Sequence, residues 1–262
     1  MNLETSIATS SEDLLHRRPI AFSMPVAKPG RLRGHVMPAR EVDRATQDRL
    51  YELFRRYYTN VDREVFLADQ AEKEWVLLLT DHAGMLRGFT TMMSYDEVID
   101  DRPVRAIFSG NTIIDRDHWG GQELVRTFGR FLANVKRRRP ELPLYWFLIC
   151  SGFRTYLYLP LFYQEFFPRY DAPTPRFEQQ LIDLLGQRKF PGEYCGGIVH
   201  VASPRECLRD DLAIPSPAKM RNPHVRFFVE QNEEYRRGNE LVCVAEYSIA
   251  NTRGLANKTA RE

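Results

Sequence analysis

Residues 115–128, DRDHWGGQELVRTF, combine groups that can bind an anion with groups that can move a proton. An apolar run precedes them and a helical pattern follows, so Gly120 and Gly121 lie where a strand gives way to a helix. The first turn of a helix leaves about four N–H groups unpaired and carries about half a positive charge, and glycines let an anion approach it. The segment predicts a phosphate site, or else a plain strand–helix turn, since Glu123 places a carboxylate there.

Acid–base groups precede this glycine pair. Asp115 and His118 follow the apolar run directly, and a histidine changes its charge near neutral pH. Ser109 and Asn111 are polar residues inside the run, two positions apart and therefore on one face of the predicted strand. A buried polar pair needs hydrogen-bond partners, which a bound amide, a neighbouring strand or water can supply. We therefore predict Asp115, His118 and Asn111 as candidates for catalysis.

The sequence gives no pattern typical of a covalent nucleophile or a metal site. The four cysteines are scattered and form no CxxC pair. Cys150 ends an apolar run, where a thiol is more often a packing residue than a nucleophile. The six histidines are far apart, and HExxH, a dinucleotide fingerprint and a phosphate-loop lysine motif are absent. We predict reduced thiols and no bound metal.

Composition argues against several classes of protein. The chain has 262 residues, 43% hydrophobic and 27% charged, and its net charge of +2 indicates neither nucleic-acid nor membrane binding. No apolar run approaches the roughly 18 residues of a membrane span. The N-terminus lacks the apolar core of a signal peptide. We therefore predict a cytoplasmic protein.

Hydrophobic periodicity predicts the elements that must position these groups. The first part contains, in order, a strand at Arg31–Met37, a helix within 39–60, a helix at Arg63–Lys73 capped by Asp62, a hairpin at 75–95, a strand at Arg105–Ile114, a helix ended by Pro140 and a strand at Leu144–Cys150. An aromatic helix follows, kinked at Pro160 and stopped by Pro168. Weaker patterns predict a helix at Phe177–Leu185, a strand at Gly196–Ala202, a helix at Pro223–Glu234 and a strand at Glu240–Tyr247.

This order predicts an α/β (α+β) fold with a mixed, mostly antiparallel central sheet and helices on both faces. Residues 1–29 mix Ser, Pro and charge without periodicity, which predicts an N-terminal arm. Residues 30–250 form a predicted single domain, with a core at 31–170 and an extension at 171–250. Residues 251–262 are predicted to be a polar tail.

The same stretches resemble the GNAT superfamily of acyl-CoA-dependent N-acyltransferases. The resemblance rests on HVMPAREVDRATQDRLYELFRRYY, the hairpin WVLLLTDHAGMLRGFTTMMSY, IFSGNTIIDRDHWGGQELVRTFGRFL and LYWFLIC, in that order. It covers residues 31–170 as a succession of elements, and the later GFRTY…PRY and NPHVRFFVEQNEEYRRGNELVCVA segments are similar to bacterial proteins. The resemblance implies a divergent bacterial member, in which two neighbouring parallel strands splay apart around the pantetheine arm of the acyl donor.

The resemblance also implies roles for particular residues. The splayed strands would be Arg105–Ile114 and Leu144–Cys150, and the helix opened by Trp119 would receive the phosphates of the donor. In the family, a tyrosine on the helix that follows the second of these two strands, Leu144–Cys150 here, often serves as general acid. Tyr156, Tyr158 and Tyr163 lie there, and Tyr156 is nearest the strand end. The implied contacts with acyl-CoA or acyl-pantetheine are Thr112, Ile113, Ile114, Trp119, Gly120, Gly121, Gln122, Arg126, Cys150 and Ser151.

The glycine loop departs from the family pattern, which is Arg or Gln, two residues, Gly, one residue, then Gly or Ala. Counted from Trp119, the small positions become Gln122 and Leu124; counted from His118, Glu123 does not fit. A looser loop with nearby arginines suits the single phosphodiester of an acyl-carrier protein. The basic run 136–139 suits the acidic surface of such a carrier, and equally a solvated helix C-terminus.

Together these patterns predict an N-acyltransferase that moves an acyl group from an acyl-CoA or acyl-carrier-protein thioester to an amine. The aromatic residues of 145–170 favour a medium or long acyl chain over acetyl, unless they only form a packed core. The acceptor is predicted to be an amino acid or a side-chain amine of a biosynthetic precursor peptide. The alternatives are a degenerate, non-catalytic module that binds an acyl ligand or a protein partner, and a thioester hydrolase.

Overall fold

The computed structural model describes residues 30–201 and 206–261. Its strands are β1 Arg33–Pro38, β2 Tyr58–Thr59, β3 Trp75–Thr80, β4 Leu86–Ile99, β5 Arg102–Ile114, β6 Leu144–Cys150, β7 Tyr194–Cys195, β8 Ile198–Val199, β9 Cys207–Leu208 and β10 Glu240–Glu246. Eight of them form one sheet in the order β1-β3-β4-β5-β6-β10-β8-β7, and β2 pairs with β9. Within the described residues only β5 and β6 pair in parallel, so the predicted mixed, mostly antiparallel sheet is confirmed.

Helices cover both faces of the large sheet. They are α1 Arg44–Phe54, α2 Arg63–Ala71, α3 Glu123–Arg138, α4 Phe153–Tyr156, α5 Tyr158–Phe162, α6 Arg176–Lys189, α7 Asp210–Ala213, α8 Pro217–Met220, α9 Pro223–Gln231 and α10 Gly254–Arg261. Alternate residues of a pleated strand point to opposite faces. Ile107 and Trp146 accordingly pack with α3, whereas Phe108 and Phe147 pack with α6. We call these the α3 face and the α6 face.

Local signals explain the elements of the first half. Asp43 and Asp62 cap α1 and α2 by accepting hydrogen bonds from first-turn N–H groups, which confirms the predicted cap at Asp62. Asp81 accepts from two backbone N–H groups in the turn between β3 and β4, which are joined as the hairpin expected at 75–95. Among the helices that the structure describes, none has both the length and the apolar character needed to cross a membrane.

β5 and β6 separate before they end. Their pairing runs from Arg105 and Leu144 to Ser109 and Leu148, and the described residues of β5 beyond Ser109 have no partner on β6. A register shift between β4 and β5 lies opposite this gap, where Asn111 adopts a left-handed φ of 51°. The gap is the splay that the GNAT resemblance implies.

Several later elements differ from the predictions. The aromatic helix predicted to kink at Pro160 and stop at Pro168 forms the two short helices α4 and α5, which separate at Leu157, while Pro160 lies within α5. The helix ends early, at Phe162, and the chain beyond it pairs with β10, where the Phe167 N–H donates to the Val244 carbonyl at 2.9 Å. The strand predicted at Gly196–Ala202 is only β8, since Gly196 and Gly197 take positive φ values and turn the chain; Ala202 lies outside the described residues. α6 is longer than predicted at both ends, and α9 stops at Gln231.

The segment expected to be a polar tail contains α10 instead. Ala256 and Thr259 are buried, and Thr259 packs on α3 where Gly129 provides no side chain. Tyr247, which follows β10, donates its hydroxyl to the Gly129 carbonyl at 3.0 Å. Small and polar residues make up the buried side of α10, so hydrophobic periodicity gave no sign of it. The N-terminal arm predicted at 1–29 lies outside the described residues.

Gly129→Ala should weaken the packing of α10. A Cβ at this position would lie 2.2 Å from Thr259 Oγ1, and overpacking should reduce the unfolding free energy by about 1–3 kcal/mol. Ala otherwise favours a helix over Gly by about 1 kcal/mol. Adding Thr259→Ala should recover most of the loss. Chemical denaturation of both single variants and the double variant measures the coupling, and strictly additive effects would contradict this contact.

Candidate functional site

A pocket opens where β5 and β6 separate. Its volume is about 150 Å³, and it reaches both faces of the sheet. The gap supplies its middle, with Gly110, Asn111 and Thr112 on β5 and Ile149 and Ser151 at the end of β6. The structure therefore brings together three residues that were predicted from the sequence, namely Asn111, Thr112 and Ser151.

The part of the pocket on the α3 face is apolar and aromatic. Trp146 donates its indole N–H to Ser109 Oγ at 2.8 Å, so this polar residue of the strand has a partner inside the protein. α10 closes this side through Ala256. The lining residues here are Leu124, Val125, Phe128, Gly129, Leu132, Trp146, Tyr163, Tyr247 and Ala256. A wall of this composition suits a hydrocarbon chain.

The part of the pocket on the α6 face is charged. Asp69 Oδ1 lies 2.5 Å from Lys73 Nζ and 3.4 Å from Lys189 Nζ, while its Oδ2 accepts from the Asn111 side chain at 2.8 Å. Burial acts to raise the pKa of Asp69, but the two ammonium groups outweigh it and hold that pKa below its usual value. Burial lowers the pKa of Lys73, against the opposing charge of Asp69. We conclude that Asp69 is an ionised carboxylate fixed between two cations.

These anchors explain the conformation of Asn111. A left-handed φ is uncommon for a residue other than glycine and persists only where its surroundings enforce it. Asp69 holds the Asn111 side chain, and the preceding carbonyl, that of Gly110, accepts from the hydroxyls of Thr90 and Thr91 at 3.1 Å each. The backbone of β5 after Ser109 is thus held from the β4 side, and its other edge faces the gap.

A chain of two hydroxyls and a carboxylate lies at the opposite edge of the gap. The Tyr58 hydroxyl donates to Ser151 Oγ at 3.4 Å, and Ser151 donates to Oε1 of Glu240. The Tyr58 ring stacks on Phe54 with centroids 4.3 Å apart, which fixes its direction. Burial raises the pKa of Tyr58, so the phenol stays protonated at neutral pH.

The sequence alone did not reveal this second cluster. Tyr58 and Glu240 are 93 and 89 positions away from Ser151, so no local spacing connects them. The one available signal was Glu240 itself, a carboxylate that directly precedes the apolar run Leu241–Ala245. Asp69 and Lys73, in contrast, are four apart on a predicted helix, a spacing that favours an ion pair.

A second cavity, of about 350 Å³, lies at the start of α3. It adjoins the pocket, because Leu124 lines both. Gln122 makes no capping hydrogen bond through its side chain in the described chain, so first-turn N–H groups remain available to a ligand. The N–H of Gly121 instead donates to the His118 carbonyl at 3.2 Å. The predicted residues that line this cavity are Ile114, His118, Gly120, Gly121, Gln122 and Arg126.

Tyr156, predicted as the general acid, does not line the pocket. Its side chain is fully buried, and its hydroxyl donates to the Pro168 carbonyl at 2.9 Å. α4 ends at Tyr156, whose ring packs against aromatic rings of α9. The position of Tyr156 therefore gives its predicted role no support. Tyr158 and Tyr163, the two alternatives, do line the pocket.

Four further predicted residues lie outside both cavities. Asp115 accepts from Tyr57 at 2.7 Å and from Arg87 at 3.3 Å, which makes it part of an ion-paired network. Ile113 and Cys150 are core residues, and burial raises the pKa of the Cys150 thiol well above its usual value. Trp119 is 40% exposed, and it donates its indole N–H to the Ile114 carbonyl at 2.8 Å.

No protein-family model and no curated protein matches the sequence. Among solved structures, the chain is similar to a conserved protein from Enterococcus faecalis, a probable N-acyltransferase, with 9% identity, 48% of this chain and 31% of that chain covered, and a TM-score of 0.36. It is similar to a GNAT family N-acetyltransferase from Escherichia coli in complex with CoA, with 13% identity, 46% and 64% covered, and a TM-score of 0.34. A GCN5-related N-acetyltransferase from Kribbella flavida gives 12% identity, 48% and 32% covered, and a TM-score of 0.37. The chain thus spans less than two thirds of each structure, and likeness at this level carries no information on activity.

Asp69→Asn should destabilise the protein because it removes the anion between two buried ammonium groups. Breaking a buried ion pair costs roughly 3–5 kcal/mol, but the Asp69 side chain is 34% exposed, so we expect a loss of about 2 kcal/mol. Asp48→Asn, which breaks the exposed pair with Arg63, is the control and should cost less than about 1 kcal/mol. Urea denaturation measures both changes.

Asp69 should also make the unfolding free energy depend on pH. Because the pKa of Asp69 is lower in the folded state, its contribution is present above the usual value of 3.8 and is lost as the pH falls through the folded value. The difference in unfolding free energy between wild type and Asp69→Asn should therefore shrink in acid below that pH. A difference that stays constant would contradict the ion-pair assignment.

Proposed function

We propose that this chain, whose sheet has the splay of the GNAT fold, is an N-acyltransferase that moves an acyl group from a pantetheine thioester to an amine. The observation that carries the proposal is the pocket at the β5–β6 gap. It joins an open strand edge, an apolar wall and a charged wall, and it adjoins the cavity at the start of α3.

The acyl donor enters, in this proposal, along the start of α3. Its phosphate is bound by the first-turn N–H groups beside Gly120, with Arg126 lining the same cavity. The amides of its pantetheine arm pair with the backbone edge of β5 beyond Ser109, which has no strand partner in the described chain. Acyl-CoA and an acyl-carrier protein both present this arm, and either serves as the donor.

The acyl chain occupies the apolar side of the pocket under α10. A medium or long chain is favoured, because Phe128, Trp146, Tyr163 and Tyr247 form an apolar and aromatic wall along the pocket. Hydrocarbon burial of about 0.8 kcal/mol per methylene would contribute to donor affinity.

The acceptor amine enters from the charged side. Asp69, Glu206 and Glu240 line the pocket there, and carboxylates attract an ammonium ion. Amide formation requires that the amine lose a proton, that the oxyanion be held and that the thiolate gain a proton, without a covalent nucleophile. An amino acid or a side-chain amine of a precursor peptide meets these requirements.

A screen of donors and acceptors tests the function. Purified protein is mixed with acetyl-, octanoyl- or palmitoyl-CoA, or with octanoyl carrier protein, and with a pool of amino acids and lysine-containing peptides. Amine-dependent thiol release and an acylated product, identified by mass spectrometry, are expected with the longer donors. Binding of acyl-CoA without turnover would instead indicate a non-catalytic module, and thiol release without added amine a hydrolase.

Gly120→Asp should weaken donor binding at least tenfold, because it places a negative charge beside the proposed phosphate site. Gly120 also has a φ of 83°, so the side chain adds backbone strain. Gly192→Asp is a matched control: Gly192 has a φ of 80°, an added Cβ meets nothing within 4 Å at either position, and Gly192 lines neither cavity. Titration calorimetry with octanoyl-CoA measures the affinities. Equal affinities for the two variants would contradict the phosphate site.

Ala256→Leu should shift the donor preference toward shorter chains, because Ala256 lines the apolar side and has almost no exposure of its own. Ala260→Leu makes the same change on the same helix at a residue that does not line the pocket. The ratio of kcat/KM for palmitoyl-CoA to that for octanoyl-CoA should fall about tenfold in the first variant, since one lost methylene contact is worth about 1–3 kcal/mol. An equal effect of both variants would place the acyl chain elsewhere.

A further inference from the structure

The carboxylates of the charged wall differ in their capacity to accept a proton. Asp69 receives its hydrogen bonds from two ammonium groups and an amide, which keep it ionised. Glu240 accepts a hydrogen bond from the hydroxyl of Ser151, a group that can pass a proton on. A general base must take a proton readily, so Asp69 does not suit that role, whereas the Ser151 hydroxyl gives Glu240 a route by which a proton can reach it.

Glu240 and Ser151 lie where the acceptor would meet the thioester. Ser151 follows the last residue of β6 and lines the pocket at the gap. Glu240 begins β10, and since Val242 and Val244 pack on the α6 face, strand alternation places Glu240 on that face too. This is the face from which the proposed acceptor enters. Tyr58 reaches the same point from β2, held there by the stacked ring of Phe54.

We propose that Glu240, Ser151 and Tyr58 are catalytic residues that form the proton relay of this reaction, with Glu240 as general base, Tyr58 as general acid and Ser151 as the link between them. This relay presupposes the acyltransferase function proposed above. It replaces Tyr156, Asp115 and His118, none of which lines the gap between β5 and β6.

The relay balances the protons of amide formation. The acceptor arrives as an ammonium ion, and Ser151 takes one proton from its nitrogen while giving its own hydroxyl proton to Glu240. The free amine attacks the thioester carbon and forms the C–N bond. When the C–S bond breaks, Tyr58 protonates the departing thiolate, and a second nitrogen proton returns through Ser151 to the phenolate. Glu240 then releases its proton to water, so the products are the amide, the thiol and one proton.

Several other charged and titratable groups lie near Glu240 or line the same pocket. Tyr58 and Cys150 interact with it electrostatically from β2 and β6, and neither ionises at neutral pH, because burial raises the pKa of each. Beyond β8, His200 lies 3.2 Å from the side chain of Asn239, the neighbour of Glu240. The remaining charged groups of the pocket lining are Asp69, Lys189 and Glu206.

The test is the pH profile of amine-dependent thiol release with octanoyl-CoA, or with the fastest thioester of the screen. In the wild type kcat should rise with pH as the base loses its proton. Glu240→Gln should lower kcat about 100-fold or more and abolish this rise, with little change in the KM of the donor. Glu240→Asp should restore the pH dependence at a reduced rate. Tyr58→Phe, which keeps the ring that stacks on Phe54, should lower kcat by at least about tenfold.

Glu246→Gln is the matched control, because it makes the same change at the other end of β10, outside the pocket. It should keep the wild-type kcat and pH profile. An active wild type together with an equally active Glu240→Gln of unchanged profile would overturn the relay and leave the acyltransferase function standing. A wild type that releases no thiol in response to any amine would overturn both. If Glu240→Gln does not fold, the kcat values of Tyr58→Phe and Ser151→Ala test the relay instead. Wild-type kcat values in both variants would overturn it.

Discussion

The site depends on one constraint, the end of the parallel pairing between β5 and β6 at Ser109 and Leu148. Paired strands consume each other's N–H and C=O groups, and strands that separate expose them. β6 keeps its pairing with β10 up to Cys150, whereas β5 keeps only its β4 side. Among the described residues, β5 beyond Ser109 has no strand partner on its β6 side, so an extended amide-containing ligand can pair with it there.

Keeping this gap open requires anchors on the β4 side. Asn111 holds a left-handed conformation at a cost of about 1–3 kcal/mol, and its amide is fixed by Asp69. Asp69 is in turn ionised because Lys73 and Lys189 offset its burial. The two lysines hold the Asp69 carboxylate, and Asp69 holds the Asn111 amide of β5. Lys73 and Lys189 thus affect the geometry of β5, although neither lysine donates a hydrogen bond to β5 in the described chain. The ion pairs of the charged wall support the shape of the site as well as its electrostatics.

Sequence patterns predicted the parts of the fold that rest on local periodicity. The strand at Leu144–Cys150 has the predicted bounds, and the predicted hairpin and α3 are present, because continuous apolar runs or an apolar repeat of 3.6 residues dominate there. α10 escaped prediction since it buries Ala256 and Thr259 rather than large apolar residues, and its packing depends on the absence of a side chain at Gly129. Asn111 was predicted as a polar residue inside an apolar strand, and Thr112 and Ser151 were implied by the GNAT resemblance; all three line the pocket. The role that the resemblance implied for Tyr156 has no such support, because the helix predicted there breaks at that residue. Tyr58 and Glu240 come from distant parts of the chain, and only the folded structure brings them to Ser151.

Asp69 and Glu240 show how one pocket can assign different tasks to the same chemical group. Two neighbouring cations make a carboxylate a reliable anion and a poor base, which suits Asp69 to holding Asn111. A hydroxyl that donates to a carboxylate can also pass a proton to it, which suits Glu240 to the proposed relay. Pairs of acids whose environments differ in this way are a common arrangement in enzymes that need one fixed charge and one mobile proton. The two carboxylates also lie on opposite edges of the gap, Asp69 against β5 and Glu240 against β6, so a thioester held between the strands would have its backbone contacts on one side and its proton transfers on the other.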